Sequence, residues 1–515
     1  MKTCGEIILR HGRRSPDRVA VVFEGRRTTY GELLSRSKRL SQSLRQRGVG
    51  AQDRVAVLAM NCNEWFELGF VCHLNAFVMA TVNFRLAPPE IAYILKDSAP
   101  KVLIFEQQYA ETVAALREQL PSIEHYICIG KAPDWALDYE GLLEGLPASG
   151  REDEPPVEPQ SSDLALLIYT SGTTGRPKGV MKTQAATLAS FKVNAYNLGL
   201  RPDSRILIIM PMFHVGAMSE ANAMMYAGGT VVLQRKFEPI EVLRTIESER
   251  ITHVHMAPTM VQALLDEPSI QSHDTSSLRI FNYAAAPMPV SLLKQAIDRF
   301  GPIFMDIYGS TEAPGTILFP HQHVLDGDPE QVKRLGSVGQ SNAITDLRIV
   351  DDGGKPCAPG IAGEILVRSE AAMAGYWNDS VATQQAVRNG WFHTGDIGYL
   401  DDQDYLFLVD RKKDMIISGG ENIYCREVEE ALMEHGGLQD VAVIGIPDSY
   451  WGEVVHAVAV AKAGVSVTEA DLIAFVGTRI ARYKRPKSVE FVAELPRLPS
   501  GKVMKHVLRD RYKSK

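Results

Sequence analysis

The stretch Leu164–Val180, LALLIYTSGTTGRPKGV, joins a short apolar run to a loop of hydroxyls, glycines and cations. Leu164–Ile168 reads as a buried strand. The loop that follows, Tyr169–Val180, has the composition of a phosphate cradle. Gly172 and its neighbours let backbone N–H groups face an anion, Thr170, Ser171, Thr173 and Thr174 add hydroxyl donors, and Lys178 adds charge. It is not the P-loop pattern, in which lysine directly follows the second glycine. Here Pro177 stands between Arg176 and Lys178 and blocks smooth continuation into a helix. Taken alone, such a cluster is as readily a plain turn as a phosphate site.

Working outward, β-rich apolar runs recur on both sides. Arg54–Met60 (RVAVLAM) and Lys101–Phe105 (KVLIF) precede the loop; Ile206–Met210, Thr230–Leu233 and His253–Met256 follow it. Helical patterns lie between them, and this alternation predicts α/β organisation with a mainly parallel sheet covered by helices. Gly150–Ser162 (GREDEPPVEPQSS) is acidic and Pro-rich, which predicts an exposed connection. Near Asp410 the texture changes. Charge and glycine in DRKKDMIISGGEN lead into a smaller α+β pattern, with helices expected at Glu427–Glu434 and Glu469–Ile480 and strands at Val441–Ile446 and Val454–Ala461. The expected division is a large N-terminal domain, 1–410, and a small C-terminal domain, 411–515.

A chain of 515 residues, 45% hydrophobic, has material for more than one core. The net charge of -7 argues against a nucleic-acid-binding surface as the main business. Six cysteines stand singly, without metal-ligand spacing, which fits reduced thiols in the cytosol. The N-terminus lacks a secretory h-region, no apolar run is long enough to span a bilayer, and the final RDRYKSK is not the SKL address. A cytoplasmic location without an integral membrane segment is expected.

YTSGTTGRPKGV resembles the signature of the acyl-adenylate-forming superfamily, which includes acyl-CoA synthetases, peptide-synthetase adenylation domains and luciferases. Further motifs of that family follow in order: MPMFH ending at His214, YGSTE at Tyr308–Glu312, GEILVR at Gly363–Arg368, HTGD ending at Asp396, DRKKDMIISGGENIY at Asp410–Tyr424 and PSGK ending at Lys502. An ordered set spread over most of the chain is far more specific than any one motif.

The resemblance implies attack of a carboxylate on the α-phosphorus of ATP, with magnesium pyrophosphate leaving. It places the nucleotide against Ala284, Ala285 and Ala286 and the run Asp306, Ile307, Tyr308, Gly309, Ser310 and Thr311. Tyr308 lies against adenine, Asp306 meets the ring edge, Thr311 donates to the α-phosphate and Glu312 holds Mg2+, which prefers hard oxygen ligands. Asp396 accepts from the ribose hydroxyls and Arg411 reaches the nucleotide. Lys502 is the adenylation lysine, neutralising both reactants and the charge developing at phosphorus.

For the second half-reaction the resemblance implies rotation of the small domain about Lys413, with Gly419 and Gly420 letting a pantetheine arm pass close to the backbone. His214 is the gate between the carboxylate pocket and the thiol tunnel. In ARYKRPK, Tyr483 stacks on the coenzyme A adenine while Arg485 and Lys487 meet its phosphates.

The family usually carries glycine where this chain has Ala284 and Ala285, and Cys425 replaces a common proline. The acyl pocket implied by the resemblance draws on His214–Asn222 with the regions of Tyr283 and Ala313–Ile317; these residues are mostly small and apolar, and Glu220 is the one anion among them. No arginine there would pair with a second carboxylate, so a fatty, alicyclic or aromatic monocarboxylate is expected. The acceptor is coenzyme A, with a carrier protein as the alternative; a non-catalytic protein of the same fold is disfavoured by the intact motif residues. A homodimer is an expectation at family level only. Lys502→Ala should lower adenylation by roughly 10²- to 10³-fold or more with folding intact, measured as ATP–pyrophosphate exchange. Near-normal exchange would remove Lys502 from the role.

Overall fold

The computed structural model describes residues 1–144, 146, 158–170, 177–284, 286, 288–411, 414–418, 421–448, 450–497 and 503–512. Two large sheets dominate. In the nine-stranded sheet the order is Gln340–Ser341, Pro314–Leu318, Phe304–Gly309, Ile280–Ala284, His253–Met256, Arg205–Ile208, Thr230–Leu233, Val19–Phe23 and Arg26–Thr29. Every pairing from Phe304–Gly309 to Val19–Phe23 is parallel, and antiparallel strands close both edges. In the eight-stranded sheet, Val78–Thr81, Arg54–Leu58, Val102–Glu106 and His125–Ile129 form the parallel body. The apolar runs read from sequence are these strands, within a residue or two at their ends.

A parallel sheet needs cover on both faces, and here the two sheets share one cover. Helices Tyr30–Gln46, Glu64–Asn75, Gln184–Asn197 and Val215–Ala227 contribute Leu33, Phe70, Phe191 and Met224 to a core that also holds Val21 and Ile206 of one sheet and Val57 and Met79 of the other. Helices Pro239–Ser248, Pro258–Leu265 and Val290–Phe300 cover the outer face of the first sheet. Pro88–Ser98 and Ala110–Leu116 cover the outer face of the second. Thr183 starts the shared helix Gln184–Asn197 by accepting from Ala186 N at 3.1 Å, a hydroxyl cap on an otherwise unpaired first-turn amide.

A third, five-stranded antiparallel sheet contains Thr345–Val350, Gly363–Ser369, Trp391–Leu400 and Leu406–Arg411. The C-terminal α+β unit follows, with Leu438–Asp448 paired to Gly452–Ala461 and helices Cys425–Met433 and Glu469–Val476 on a separate apolar core. The second helix stops at Val476, short of the expected Ile480. Its capped carbonyls end at Gly477, whose own carbonyl is taken by the Arg485 guanidinium. Most of the acidic connection expected at Gly150–Ser162 lies outside the described residues; Glu158 and Gln160–Ser162 are exposed. No helix among the described residues is long and apolar enough to cross a membrane.

The shared layer contains a buried carboxylate whose needs are met. Glu67, with no exposed surface, accepts from Arg36 Nε at 2.7 Å, Asn63 Nδ2 at 2.9 Å and Tyr139 Oη at 2.8 Å. Arg36 also grips Glu140 through two further bonds. Arg36→Ala would strand the Glu67 charge, so it should destabilise the protein by about 3–5 kcal/mol, read from chemical denaturation. A loss within experimental error would show that the ion pair holds no part of the layer together.

Candidate active site

The glycine loop closes a hairpin. Strand Leu164–Thr170 pairs antiparallel with Lys178–Thr183, and Thr170 stands opposite Lys178. The segment therefore continues into a strand and not into the helix that Pro177 disfavours, and both ends of the loop are held together. Ser171, Gly172, Thr173 and Thr174 lie outside the described residues. Strand Lys178–Thr183 also pairs with Gly375–Tyr376, which sets Tyr376 opposite Val180 and its ring 5.0 Å from Lys178 Nζ. The Tyr376 hydroxyl donates to Glu312 Oε1 at 3.0 Å. Burial and that carboxylate push the phenol up, so it remains a donor. Lys178, Tyr376 and Glu312 thus form one chain of contacts from the hairpin to the YGSTE motif.

Lys182 ties the same two segments from below. Buried among apolar groups, it donates to the carbonyls of Ala371 and Glu312. Burial lowers its pKa to about 8, and the nearby Glu312 works against that shift. Glu312 keeps its backbone carbonyl fixed by Met373 N and its carboxylate half-exposed. Among the described residues no group of three or more His, Cys, Asp or Glu could cage a metal ion. A Mg2+ carried by nucleotide phosphates needs only one or two protein carboxylates, a requirement that Glu312 fits.

Strand Phe304–Gly309 carries Asp306, Ile307, Tyr308 and Gly309 to the C-terminal edge of the nine-stranded sheet. Asp306 stands opposite Tyr283 and is buried; desolvation raises its pKa to about 7, against the opposing pull of the Arg426 charge. Tyr308 donates to Asp396 Oδ2 at 2.8 Å, joining this strand to the third sheet. Its ring lies over Gly315, where a Cβ would come within 2.7 Å of it, so glycine is required there. Ser310 N donates to Ala313 O at 2.9 Å, turning the chain so that Thr311 and Glu312 follow at the edge. Asp396 stands opposite Arg411 across strands Trp391–Leu400 and Leu406–Arg411, which places two distant motifs side by side.

His214 is the N-cap of helix Val215–Ala227, its ring 4.3 Å from that of Phe213. Burial, and then the charge of Arg85, lower its pKa to about 4, so the imidazole is neutral at pH 7. Ala284 ends strand Ile280–Ala284 and Ala286 follows it; Ala285 lies outside the described residues. In the C-terminal unit, Tyr483 and Lys487 are exposed, whereas Arg485 is half-buried and donates to Gly477 O at 2.5 Å. Arg482–Lys484 is a 3-10 turn, so Tyr483 does not sit on the extended stretch that begins at Arg485. Arg485 and Lys487 alternate along that extended stretch, and Tyr483 precedes it. Cys425 is fully buried and donates to Asp414 O at 2.9 Å; burial pushes its thiol far up, so it is no thiolate. Lys413, Gly419, Gly420, Lys502 and the Arg411 side chain lie outside the described residues.

Sequence reasoning missed Tyr376, Lys182 and Arg426, because each acts across a fold contact that no local motif marks. It also passed over His255 and Asn282, although a polar residue inside HVHM and another inside IFNYA were visible as breaks in apolar strands.

The AMP-binding enzyme family matches residues 8–377, and the AMP-binding enzyme C-terminal domain matches residues 427–502. A feruloyl-CoA synthase from Amycolatopsis sp is 40% identical over 510 residues, covering 98% of each chain. An indoleacetate–CoA ligase from Aromatoleum aromaticum is 38% identical over 506 residues, covering 98% of this chain and 97% of the other. The solved amide bond synthetase McbA from Marinactinospora thermotolerans superposes with a TM-score of 0.90 at 30% identity, covering 99% of both chains. With a hairpin loop, a YGSTE edge and an Asp396–Arg411 pair gathered at one end of a doubly covered sheet, and with relatives matched along nearly its whole length, this chain belongs to the AMP-binding enzyme family, within the acyl-adenylate-forming superfamily.

Proposed function

We propose that the protein is an acyl-CoA synthetase that activates a hydrophobic monocarboxylic acid with ATP and passes the acyl group to coenzyme A, releasing AMP and pyrophosphate. The observation that carries this reading is the convergence of Thr170 and Lys178, Asp306–Glu312 and the Asp396–Arg411 pair on the edge where His214 begins its helix. Lys178 and the loop amides take the leaving phosphates. Thr311 donates to the α-phosphate. Tyr308 lies against the adenine, held in place by Asp396, whose carboxylate also meets the ribose. Glu312, steadied by Tyr376 and by Lys182 below it, holds Mg2+, which neutralises the pyrophosphate. Lys502 joins carboxylate and α-phosphate while attack proceeds.

The division at residues 410 and 411, with a hinge at Lys413, then moves Lys502 away and brings Gly419, Gly420, Tyr483, Arg485 and Lys487 to the thiol. Arg485 would have to leave Gly477 O to meet a phosphate. His214, neutral and packed on Phe213, is suited to gate the thiol without attracting its charge. The relatives that act on ferulate and indoleacetate favour an aromatic acid over a fatty or alicyclic one. The likeness to an amide bond synthetase leaves the acceptor as the step to test.

Pyrophosphate release should be measured over benzoate, cinnamate, indoleacetate, cyclohexanecarboxylate and octanoate, each with and without coenzyme A. Acid-dependent release with thioester formed only when coenzyme A is present is expected. Release without thioester would move the acceptor to a carrier protein or an amine, and no release from any acid would overturn the reading.

Asp306 also makes ATP binding pH-dependent. Its pKa of about 7 in the free protein exceeds the ordinary carboxylate value because the site is desolvated. The adenine amino group donates to the carboxylate form, so below pH 7 binding must expel a proton. Affinity is then full above pH 7 and weakens about tenfold from pH 8 to pH 6. Asp306→Asn should flatten that part of the profile in direct titrations with ATP. An unchanged slope in the variant would assign it to another group.

A further inference from the structure

Helix Val215–Ala227 runs back from the C-terminal edge of the nine-stranded sheet, packed on strands Arg205–Ile208 and Thr230–Leu233, and its Glu220 reaches across to strands His253–Met256 and Ile280–Ala284. On adjacent strands His255 stands opposite Asn282, and Glu220 of the helix reaches both. Asn282 Nδ2 donates to Glu220 Oε1 at 2.5 Å, and His255 Nδ1 lies 3.2 Å from the same oxygen, in ion-pair range but not aligned as a hydrogen bond. The three residues are 3%, 5% and 1% exposed, so water does not reach them from the surface. Yet Glu220 Oε2, His255 Nε2 and Asn282 Oδ1 have no hydrogen-bond partner among the described residues.

A purely structural cluster does not look like this. Glu67 in the same layer has three donors on its carboxylate. His253, two residues before His255 on the same face, has Nδ1 beside Thr252 Oγ1 at 2.7 Å and Nε2 beside Leu198 O at 2.9 Å. Buried polar atoms are otherwise paired as a rule, and unpaired ones mark places where something else binds. Burial alone would lower the His255 pKa, but the Glu220 carboxylate outweighs it and the net shift is upward. With a proton on Nε2 the imidazole offers one donor beside two acceptors.

The position of the cluster connects it to the acid. His214 opens the helix at the sheet edge, and Glu220 lies six residues further on, about 9 Å deeper at helical rise. Ala284 ends its strand at the same edge, and Asn282 lies two residues back on the same face, about 7 Å deeper. Resting on the proposed function, which puts the carboxylate at that edge, we infer that Glu220, His255 and Asn282 form a polar floor of the acyl site that recognises a hydroxyl at the far end of an aromatic monocarboxylic acid. The hydroxyl donates to Glu220 Oε2 or Asn282 Oδ1 and accepts from His255 Nε2. The body of the acid lies between the small and apolar residues of the helix and the strands. Recognition of this kind discriminates strongly, because an acid without the hydroxyl leaves the buried set unpaired.

The test compares kcat/KM for 4-hydroxycinnamate, 4-methylcinnamate, cinnamate and 4-aminocinnamate by pyrophosphate release, in the full-length protein. The 4-hydroxy acid should exceed the 4-methyl acid by roughly 100-fold or more. Glu220→Gln keeps the shape of the side chain and should reduce that ratio at least tenfold. Asn282→Leu provides the same readout from the strand rather than the helix should Glu220→Gln unfold, which thermal denaturation will reveal. Acids that are activated with a hydroxyl-to-methyl ratio near one, a preference for the 4-amino acid, or a ratio unmoved in both folded variants would each overturn the inference and leave the proposed function standing. Absence of pyrophosphate release from every acid would overturn both.

Discussion

The shared helical layer between the two large sheets is the constraint from which the rest follows. Each sheet is parallel in its body and must bury both faces, so helices Glu64–Asn75, Gln184–Asn197 and Val215–Ala227 pack against sheet on two sides. Glu64–Asn75 and Val215–Ala227 are accordingly apolar on most of their surface, whereas Gln184–Asn197 keeps Lys192 and Tyr196 exposed. A charged side chain buried in that layer is costly unless it is paired. Glu67 and His253 have their partners, and Glu220 with His255 and Asn282 is the set we infer to meet a ligand.

The same packing explains where the chemistry lies. Parallel strands deliver their C-terminal ends to one edge, where backbone groups run out of strand partners and connecting loops gather. The YGSTE motif and the alanine run reach that edge from adjacent strands, and His214 meets it from the helix that returns across the sheet. The glycine loop arrives from the other large sheet, and the Tyr376 to Glu312 bond joins the two. The third sheet adds Asp396, fixed to Tyr308. A nucleotide bound there would touch all three sheets, which is why the site reads as a set of short motifs scattered over the chain.

Much of this was legible beforehand. Strands such as Arg54–Leu58 and Thr230–Leu233 were visible as short apolar β-rich runs between helical patterns, since a strand covered on both faces is mostly apolar. Pro177 correctly excluded a helix after the glycine loop, but the antiparallel return strand could not be inferred, because hairpin pairing depends on the neighbour to which strand Leu164–Thr170 is already bound. The end of helix Glu469–Val476 was misplaced by a few residues, since the Arg485 contact that terminates it comes from outside the helix. Asp306 was recognised beside its motif, whereas its raised pKa comes from burial and is moderated by the Arg426 charge from the C-terminal unit.

The amino-acid sequence by itself determined the α/β class, the order of the motifs and the chemistry that they imply, because strand periodicity, proline and glycine geometry and charge are local properties. Only the tertiary structure decided that Lys178, Tyr376 and Glu312 make one chain of contacts, that Asp396 faces Arg411, and that Arg485 is engaged at Gly477. It alone placed His255 and Asn282 side by side under Glu220. The reason is physical: pairing, burial and the loss of hydrogen-bond partners are relations between residues far apart in the chain, and they come into being when the sheets close on their common layer of helices.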